Sequence, residues 1–184
     1  MGGEKAYDLM PFYRYIWIIN FILFEESPWM LLFIITFFPL VIYKIFNELL
    51  GRKWAQCFLI FWLFIPLFEA FGFFHFYYVK LTLRGFGEPL SYLCFLTALL
   101  FLIKFNKHSY SINYFNSFIF GFLLALAIGL RANILPACLV MIVFYILLNF
   151  KRNKNNIFFL LLGFSLILIT VSYTHLTLPT MFEV

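Results

Sequence analysis

Charged residues are scarce in this sequence: they make up 11% of the 184 residues, whereas hydrophobic residues make up 65% and aromatic residues 24%. Soluble domains are about one quarter charged and about half apolar, so the composition excludes a soluble globular domain. The long apolar runs also lack the period-two alternation of barrel strands, and backbone groups in lipid must be satisfied within a helix or a closed barrel. We therefore predict an all-α, polytopic transmembrane helical bundle.

The sequence also lacks groups of residues typical of metal, nucleotide or hydrolase chemistry. Cys57, Cys94 and Cys138 lie apart in apolar runs, so we interpret them as small buried hydrophobic residues rather than a disulfide framework or metal ligands. His75 and His108 form no ligand set with each other, which disfavours a histidine-based metal site and leaves metal dependence open. No P-loop, G-x-G-x-x-G fingerprint or G-x-S-x-G elbow is present. The net charge of +5 comes from scattered Lys and Arg, so nucleic acid is not predicted as a partner.

Seven apolar segments follow one another along the chain. The first, residues 11–24, is too short for a bilayer core that needs about 20 residues, and we predict an interfacial helix with Tyr13, Tyr15 and Trp17 at headgroup level. The other six are predicted to span the membrane, at residues 29–46, 57–78, 89–103, 114–130, 136–150 and 157–170. Pro39 is expected to kink the first span.

The loops between the predicted spans carry unequal numbers of basic residues. One set of loops contains eight: Lys44, Arg52, Lys53, Lys104, Lys107, Lys151, Arg152 and Lys154. The other set contains five: Lys5, Arg14, Lys80, Arg84 and Arg131. By the positive-inside rule the side with eight is cytoplasmic. The GEPL segment at residues 87–90 and the GLRAN segment at residues 129–133 then share the extracytoplasmic face.

A stripe of small residues marks the fourth predicted span. Gly121, Ala125 and Gly129 repeat every four residues. Small side chains on one helical face let a second helix approach closely, so we expect a close helix contact there. The alternative is that small residues are merely common in membrane helices.

Ionisable residues inside or beside the predicted spans are candidates for function. Glu69 lies within the second span, where a carboxylate costs about 2.5 kcal/mol or more and usually faces a partner or a wet cavity; the alternative is a protonated packing residue. Lys80, Arg84 and Arg131 gather on the outer face, which the positive-inside rule disfavours. An anionic ligand would explain them, because Arg forms bidentate bonds to phosphate; the alternative is interfacial snorkelling. Glu88 is placed to orient an arginine or to bind a sugar hydroxyl.

The end of the chain differs abruptly from the rest. Residues 171–180, VSYTHLTLPT, equal the translation of a DNA sequence that resembles a transposase-type sequencing adapter. We therefore expect residues 1–170 to be a partial transmembrane domain and residues 171–184 to be a non-native tail. The alternative is a genuine polar tail.

Several segments, taken in order, resemble one family. They are AYDLMPFYRYIWIINFILFEESPW, LLGRKWA, GEPLSYLCFL and FIFGFLLALAIGLRANILPACLVMIVFYIL, and they cover most of residues 6–150. This ordered set resembles polytopic glycosyltransferases of the GT-C class. The nearest kin are the family 39 enzymes, which include protein mannosyltransferases and bacterial lipid A aminoarabinose transferases.

The resemblance implies an active site between membrane helices at the extracytoplasmic face of a prokaryotic plasma membrane. The donor would be a polyprenyl-phosphate-linked sugar, with no covalently bound cofactor, and the sugar would pass with inversion to a lipid, glycan or protein acceptor. Arg84 and Arg131 match cationic positions that face the lipid phosphate, although RAN departs from the Arg-Pro of relatives. Glu88 matches the family's acidic residue ahead of the following span.

The catalytic group of that family is an Asp that follows a first span and precedes the segment resembling MPFYRY. Asp8 is the candidate here, but it lies very close to that segment, so we expect an internal fragment that lacks the catalytic carboxylate. The readings that stay open are a multi-pass transporter or flippase of lipid-linked sugars or small solutes, and an O-antigen polymerase or another membrane protein.

Overall fold

The computed structural model describes residues 11–64, 74–84, 86–107, 114–150 and 154–177. Within these ranges the regular structure is helical and contains no strand, which confirms the all-α prediction for this part of the chain. The helices are α1 (Pro11–Phe24), α2 (Trp29–Ile35), α3 (Phe37–Leu50), α4 (Arg52–Phe64), α5 (Phe74–Leu83), α6 (Glu88–Lys107), α7 (Tyr114–Leu130), α8 (Leu135–Asn149) and α9 (Lys154–Thr177), with a 3-10 turn at Ala132–Ile134 before α8.

Among the described residues, three helices are long and apolar enough to cross a membrane. They are Trp29–Leu50 with 22 residues, Glu88–Asn106 with 19 and Ala132–Asn149 with 18, and they match the first, third and fifth predicted spans. Shorter apolar helices cover Tyr15–Phe24, Tyr114–Leu130 and Lys154–Ile167. The second predicted span covers parts of α4 and α5 and the residues 65–73 between them. Residues 65–73 lie outside the described residues. The count of six spans stays a prediction.

A sharp turn after α1 reverses the chain into α2. Glu25 has a φ of 54°, a left-handed backbone that residues other than glycine rarely adopt. The buried side chain of Asn20 closes this turn: its Nδ2 donates to the Ser27 carbonyl at 2.9 Å, and its Oδ1 accepts from the Met30 amide at 3.2 Å. Because the amide group of Asn20 is partnered on both sides, α1 is fixed against the start of α2.

The helices α2 and α3 follow one another with a one-residue break at Thr36. Pro39 lies in the first turn of α3, where its missing N–H leaves the Ile35 carbonyl without a helical donor. The Thr36 hydroxyl donates to the Phe33 carbonyl at 2.6 Å beside this break. The disturbance predicted at Pro39 therefore takes the form of this local break.

The helices α3 and α4 run in opposite directions. Gly51, with a φ of 86°, ends α3 and allows the tight turn into α4. The rings of Phe46 and Phe58 stack at 3.8 Å, and those of Phe38 and Trp62 at 5.3 Å, so the two helices are antiparallel.

The helices α7 and α8 are also antiparallel. The hydroxyls of Ser117 and Tyr145 lie 2.6 Å apart near one end of the pair, and the Cys138 thiol donates to the Leu124 carbonyl at 3.8 Å nearer the other. Since α9 begins a few residues after α8 ends, it starts beside the start of α7. We call the end of the bundle that contains the first turn of α6 and the last turn of α7 the Arg131 end, and the other the opposite end.

The closest helix contact joins α7 and α9 through glycines. A Cβ added at Gly121 would meet the backbone carbonyl of Leu160 on α9, and one added at Gly163 would meet a backbone carbonyl of α7. The rings of Tyr114 and Phe159 stack at 5.1 Å beside the start of both helices. With no side chain between them, the two backbones approach closely and run in the same direction.

The small-residue face predicted on α7 is confirmed as a contact face that serves two partners. Gly121 packs on α9, whereas a Cβ added at Gly129 would lie 2.5 Å from the Phe12 ring of α1. Ala125, between them, is fully buried. The same face of α7 therefore holds α9 near its middle and α1 at the Arg131 end.

The helix α9 continues through residue 170 to Thr177. Residues 178–184 lie outside the described residues. The origin of residues 171–184 stays a prediction.

Two groups of buried side chains pack around α6 and α7. The main core lies between α6, α7, α8 and α9 and includes Phe120, Leu124, Tyr145 and Leu160. A smaller core at the Arg131 end joins α1, α2, α6 and α7 through Tyr13, Leu31, Leu90 and Leu130. Because Leu90 and Leu130 flank Glu88 and Arg131 in sequence, this smaller core supports the candidate site directly.

Candidate functional site

An ion pair joins α6 to α7 at the Arg131 end. Glu88 is the first residue of α6, and Arg131 follows the last residue of α7 in an extended backbone conformation. Nη1 of Arg131 contacts Oε1 of Glu88, and the two side chains are 25% and 23% exposed. Both charges are thus largely withdrawn from water but remain accessible from one side.

Neighbouring hydrogen bonds set the geometry of this pair. The Ser91 hydroxyl, one turn into α6, donates to the Ala127 carbonyl at 2.7 Å, one turn before the end of α7. The Arg131 amide donates to the same carbonyl at 3.0 Å. These bonds fix the level and the rotation of α6 against α7, so Glu88 and Arg131 face one another.

The helix dipoles favour both members of the pair. Glu88 lies at the N-terminus of α6, where unpaired backbone amides favour a negative charge, and Arg131 lies at the C-terminus of α7, where carbonyls favour a positive one. Gly87, which precedes Glu88, has no side chain to cap those amides. Each charge therefore has a second stabilising partner in its own helix.

The turn from α5 into α6 brings Arg84 to the same end. The Arg84 amide donates to the Lys80 carbonyl at 3.0 Å, and the Phe86 amide donates to the Leu81 carbonyl at 3.1 Å, which ends α5. Arg84 is exposed. Lys80 lies one turn before Arg84 in α5, so the two residues are about 6 Å apart along the helix axis. The Nζ of Lys80 is 5.3 Å from the centre of the Phe76 ring, in a cation–π contact.

The first helix packs beside the site. The Tyr13 hydroxyl donates to the Thr82 carbonyl at 3.3 Å, and both residues are fully buried. The level of Tyr13 in the bilayer stays a prediction, but its ring does not face lipid headgroups: it fills the small core between α1, α2, α6 and α7. Trp17 is partly buried against the same core, and Tyr15 is partly exposed.

The structure unites only part of the predicted site. It brings Glu88 and Arg131 into contact and places Arg84 at the same end of the bundle. Glu69 and Asp8 lie outside the described residues, so their roles stay predictions. Within the described ranges, no three His, Cys, Asp or Glu side chains come together in a way that could hold a metal ion.

Sequence reasoning missed the residues that hold the pair in place. Ser91 gave no charge signal, yet its spacing of three residues from Glu88 puts both on one face of α6. Tyr13 lies in an apolar helix whose aromatic residues all resemble membrane-interface anchors, so nothing in the sequence separated the inward ring from the outward ones. The signal for both lay in contacts between helices.

Comparison with protein-family models, with curated proteins and with solved structures found no match to this chain. The chemistry is therefore argued from the residues. A guanidinium presents five N–H donors and a carboxylate accepts several hydrogen bonds, so a single contact between them leaves capacity on both groups. The Arg131 end can accordingly bind a ligand that carries both an anion and hydrogen-bond donors.

Proposed function

We propose that this chain is part of an integral membrane glycosyltransferase that moves a sugar from a polyprenyl-phosphate donor to a lipid, glycan or protein acceptor at the extracytoplasmic face. The observation that carries the proposal is the Glu88–Arg131 pair, with exposed Arg84 at the same end. Arginines are suited to phosphate because of their planar, bidentate donors. The order of segments that resembles GT-C enzymes supports the same conclusion.

Six membrane passes are part of this proposal. The chain starts α2 at the Arg131 end, since Leu31 packs with Leu90 there, and α5 returns to that end, since Thr82 meets Tyr13. The following helices α6, α7, α8 and α9 then alternate in direction. The 17 residues of α7 give about 25 Å of helix, which crosses a core of about 30 Å if the bilayer thins locally.

The distribution of charge supports an extracytoplasmic Arg131 end. Exposed basic residues concentrate toward the opposite end: Lys44, Arg52, Lys53, Lys104 and Lys154. The Arg131 end instead mixes signs, with exposed Glu25 and Glu26 in the turn after α1 and Glu88 beside Arg131. The excess of basic residues at one end favours a cytoplasmic location for that end.

The residues at the Arg131 end would act on the departing phosphate. Arg131 and Arg84 would bind the lipid phosphate and stabilise the negative charge that develops on it when the bond to the sugar breaks. Glu88 would orient the Arg131 guanidinium until the donor binds. A further carboxylate must deprotonate or orient the acceptor hydroxyl, and the candidates Asp8 and Glu69 lie outside the described residues.

Binding of farnesyl phosphate to the full chain in lipid nanodiscs tests the phosphate site. We expect Arg131→Ala to weaken binding about tenfold or more, which corresponds to about 1.4 kcal/mol, and Arg84→Ala to weaken it less. Lys104→Ala is the matched control because it removes an exposed cation from α6 near the opposite end. Equal affinity of Arg131→Ala and the unmodified chain would return Arg131 to interfacial snorkelling.

A lipid-translocation assay separates the proposal from a flippase or transporter. The chain is reconstituted in vesicles that contain a fluorescent polyprenyl-phosphate analogue in both leaflets, and a membrane-impermeant reductant is added. A glycosyltransferase leaves the inner-leaflet signal at the level of empty vesicles. Loss of that signal at a rate that depends on the amount of protein would favour the flippase.

A further inference from the structure

The Glu88–Arg131 pair restricts what a phosphate can do at this site. In the unliganded chain the two charges satisfy one another. A phosphate that binds Arg131 brings a second anion beside Glu88, and like charges at short range repel one another strongly where water is largely excluded. A bare phosphate is therefore opposed by the carboxylate that lies next to its binding residue.

Glu88 also loses the hydrogen-bond donor that Arg131 provides when Arg131 turns to a ligand. Only 23% of the Glu88 side chain is exposed, so water replaces the lost donor incompletely. A carboxylate that is partly buried and left without a donor is destabilising. The ligand that binds most tightly is one that returns hydrogen-bond donors to Glu88 while its phosphate contacts Arg131.

We infer that Glu88 is a specificity-determining residue that opposes unsubstituted lipid phosphates and admits a phosphate ester whose second substituent carries hydroxyl groups. This inference rests on the proposed function, because it presumes that Arg131 binds the lipid phosphate. Sugar hydroxyls donate to carboxylates readily, and a site with a polar group that must be partnered rejects analogues that lack the partner.

The position of Glu88 suits this role. The unpaired amides at the N-terminus of α6 attract the carboxylate and hold it in place after Arg131 moves to a ligand, while the Ser91–Ala127 hydrogen bond keeps α6 and α7 in register. Tyr92, one turn further along α6, is exposed and by its spacing of four residues lies on the same helical face as Glu88. The carboxylate is thus a fixed acceptor beside a cation that has several donors.

Two probes of equal charge isolate the effect of the hydroxyls. Methyl farnesyl phosphate and glucosyl farnesyl phosphate are both diesters with one negative charge, and only the second carries sugar hydroxyls. In nanodiscs we expect the unmodified chain to bind the glucosyl diester about tenfold more tightly than the methyl diester.

Substitution of Glu88 should remove this preference. In Glu88→Gln, which keeps the shape of the side chain, the methyl diester is expected to bind about fivefold more tightly because the repulsion is gone. In Glu88→Ala, the ratio between the two diesters is expected to fall below about threefold because the acceptor is gone. Thermal unfolding of each variant in the same nanodiscs checks that α6 and α7 remain packed.

Three results would overturn the inference, and they point to different causes. Weaker binding of both diesters to Glu88→Gln by the same factor would make Glu88 only a positioning residue for Arg131. Equal binding of both diesters to the unmodified chain, with Arg131→Ala weakening both, would reject the specificity role but leave the phosphate site standing. Unchanged binding in Arg131→Ala would overturn the proposed function and the inference together.

Discussion

The two ends of the helical bundle treat polar groups differently. At the Arg131 end they are partnered between helices, as Glu88 with Arg131 and Ser91 with a carbonyl of α7. Toward the opposite end, the Ser117 and Tyr145 hydroxyls are also partnered between helices, but Oδ1 of Asn149 and both side-chain amide atoms of Asn156 have no hydrogen-bond partner among the described residues, although the two residues are only 2% and 1% exposed. At the Arg131 end, Nε1 of Trp17 is likewise without such a partner, so the ends differ in degree: the Glu88–Arg131 ion pair and the Ser91 hydrogen bond tie α6 to α7 there.

The difference shows which end holds its polar side chains more firmly between helices. Bonds between helices fix rotation as well as distance, and a binding site needs both. Exposed lysines such as Lys104 and Lys154 near the opposite end require only proximity to water or headgroups. The comparison is therefore between an end where charged side chains pair between helices and one where exposed lysines lie on the surface.

Charge reversal at the pair gives the largest expected effect. Arg131→Glu places two carboxylates in contact at a site where each side chain is about three-quarters buried, and we expect a loss of about 3 kcal/mol in the free energy of unfolding. Lys104→Glu, an exposed charge reversal near the opposite end, should change it by less than about 0.5 kcal/mol. Thermal or denaturant unfolding in detergent measures both.

The charge-swapped double variant Glu88→Arg/Arg131→Glu provides the control for this prediction. It restores an ion pair between α6 and α7, although each charge then opposes its helix dipole. We expect it to recover part of the stability lost in Arg131→Glu. Equal stability of the single and double variants would contradict a direct contact between the two positions.

Glycine substitutions on α7 should give the second-largest loss in the free energy of unfolding. They compare two positions along one helix, one packed on α9 and one packed on α1. Gly121→Ala directs a methyl group at the backbone carbonyl of Leu160, which cannot move without shifting α9, and we expect a loss of about 2 kcal/mol. Gly129→Ala meets only the ring of Phe12, which can rotate, so we expect a smaller loss of about 1 kcal/mol. The reverse order would show that α1 is held more rigidly than α9.

Removal of one hydroxyl at the Arg131 end should have a moderate effect. Ser91→Ala leaves the Ala127 carbonyl without its side-chain donor, and we expect a loss of about 1 kcal/mol. Ser165→Ala is the matched control, because the Ser165 hydroxyl donates at 3.1 Å to a carbonyl of its own helix at an exposed position. Similar losses in both variants would argue that the Ser91 bond does not fix α6 against α7.

The smallest expected effect is at the opposite end. Asn156→Leu replaces a buried amide, which has no partner among the described residues, by an apolar side chain of similar size. We expect the free energy of unfolding to stay within about 1 kcal/mol of the unmodified chain. A larger loss would mean that this amide has partners in the turns that the described ranges leave out, and would make the two ends more alike.

Much of the fold could be predicted because hydrophobic length and helix-ending residues are local signals. The bounds predicted for α7, residues 114–130, match the structure, and Pro39 marked the irregularity beside Thr36. Counting spans that alternate in direction was enough to place Glu88 and Arg131 at one end of the bundle. Three long helices match predicted spans. The prediction of six spans also depends on residues 65–73, which lie outside the described ranges.

The contacts of the site could not be predicted, because they depend on how helices rotate against one another. Ser91 fixes α6 on α7, and no one-dimensional pattern reports that rotation. The burial of Tyr13 was missed for a related reason: α1 has apolar residues on every face, so its sequence does not distinguish the side packed on Leu90 and Leu130 from the exposed side.

The docking of Phe12 on Gly129 has a consequence for the order of assembly. The ribosome makes these residues 117 positions apart, which at about 5–20 residues per second is a delay of roughly 10 s. During that interval α1, already synthesised, lacks the α7 surface on which Phe12 and Tyr13 finally pack, and these two rings must be shielded by lipid or by the insertion machinery. A helix made before α2 to α6 can thus complete its native contacts only after α7 has been made.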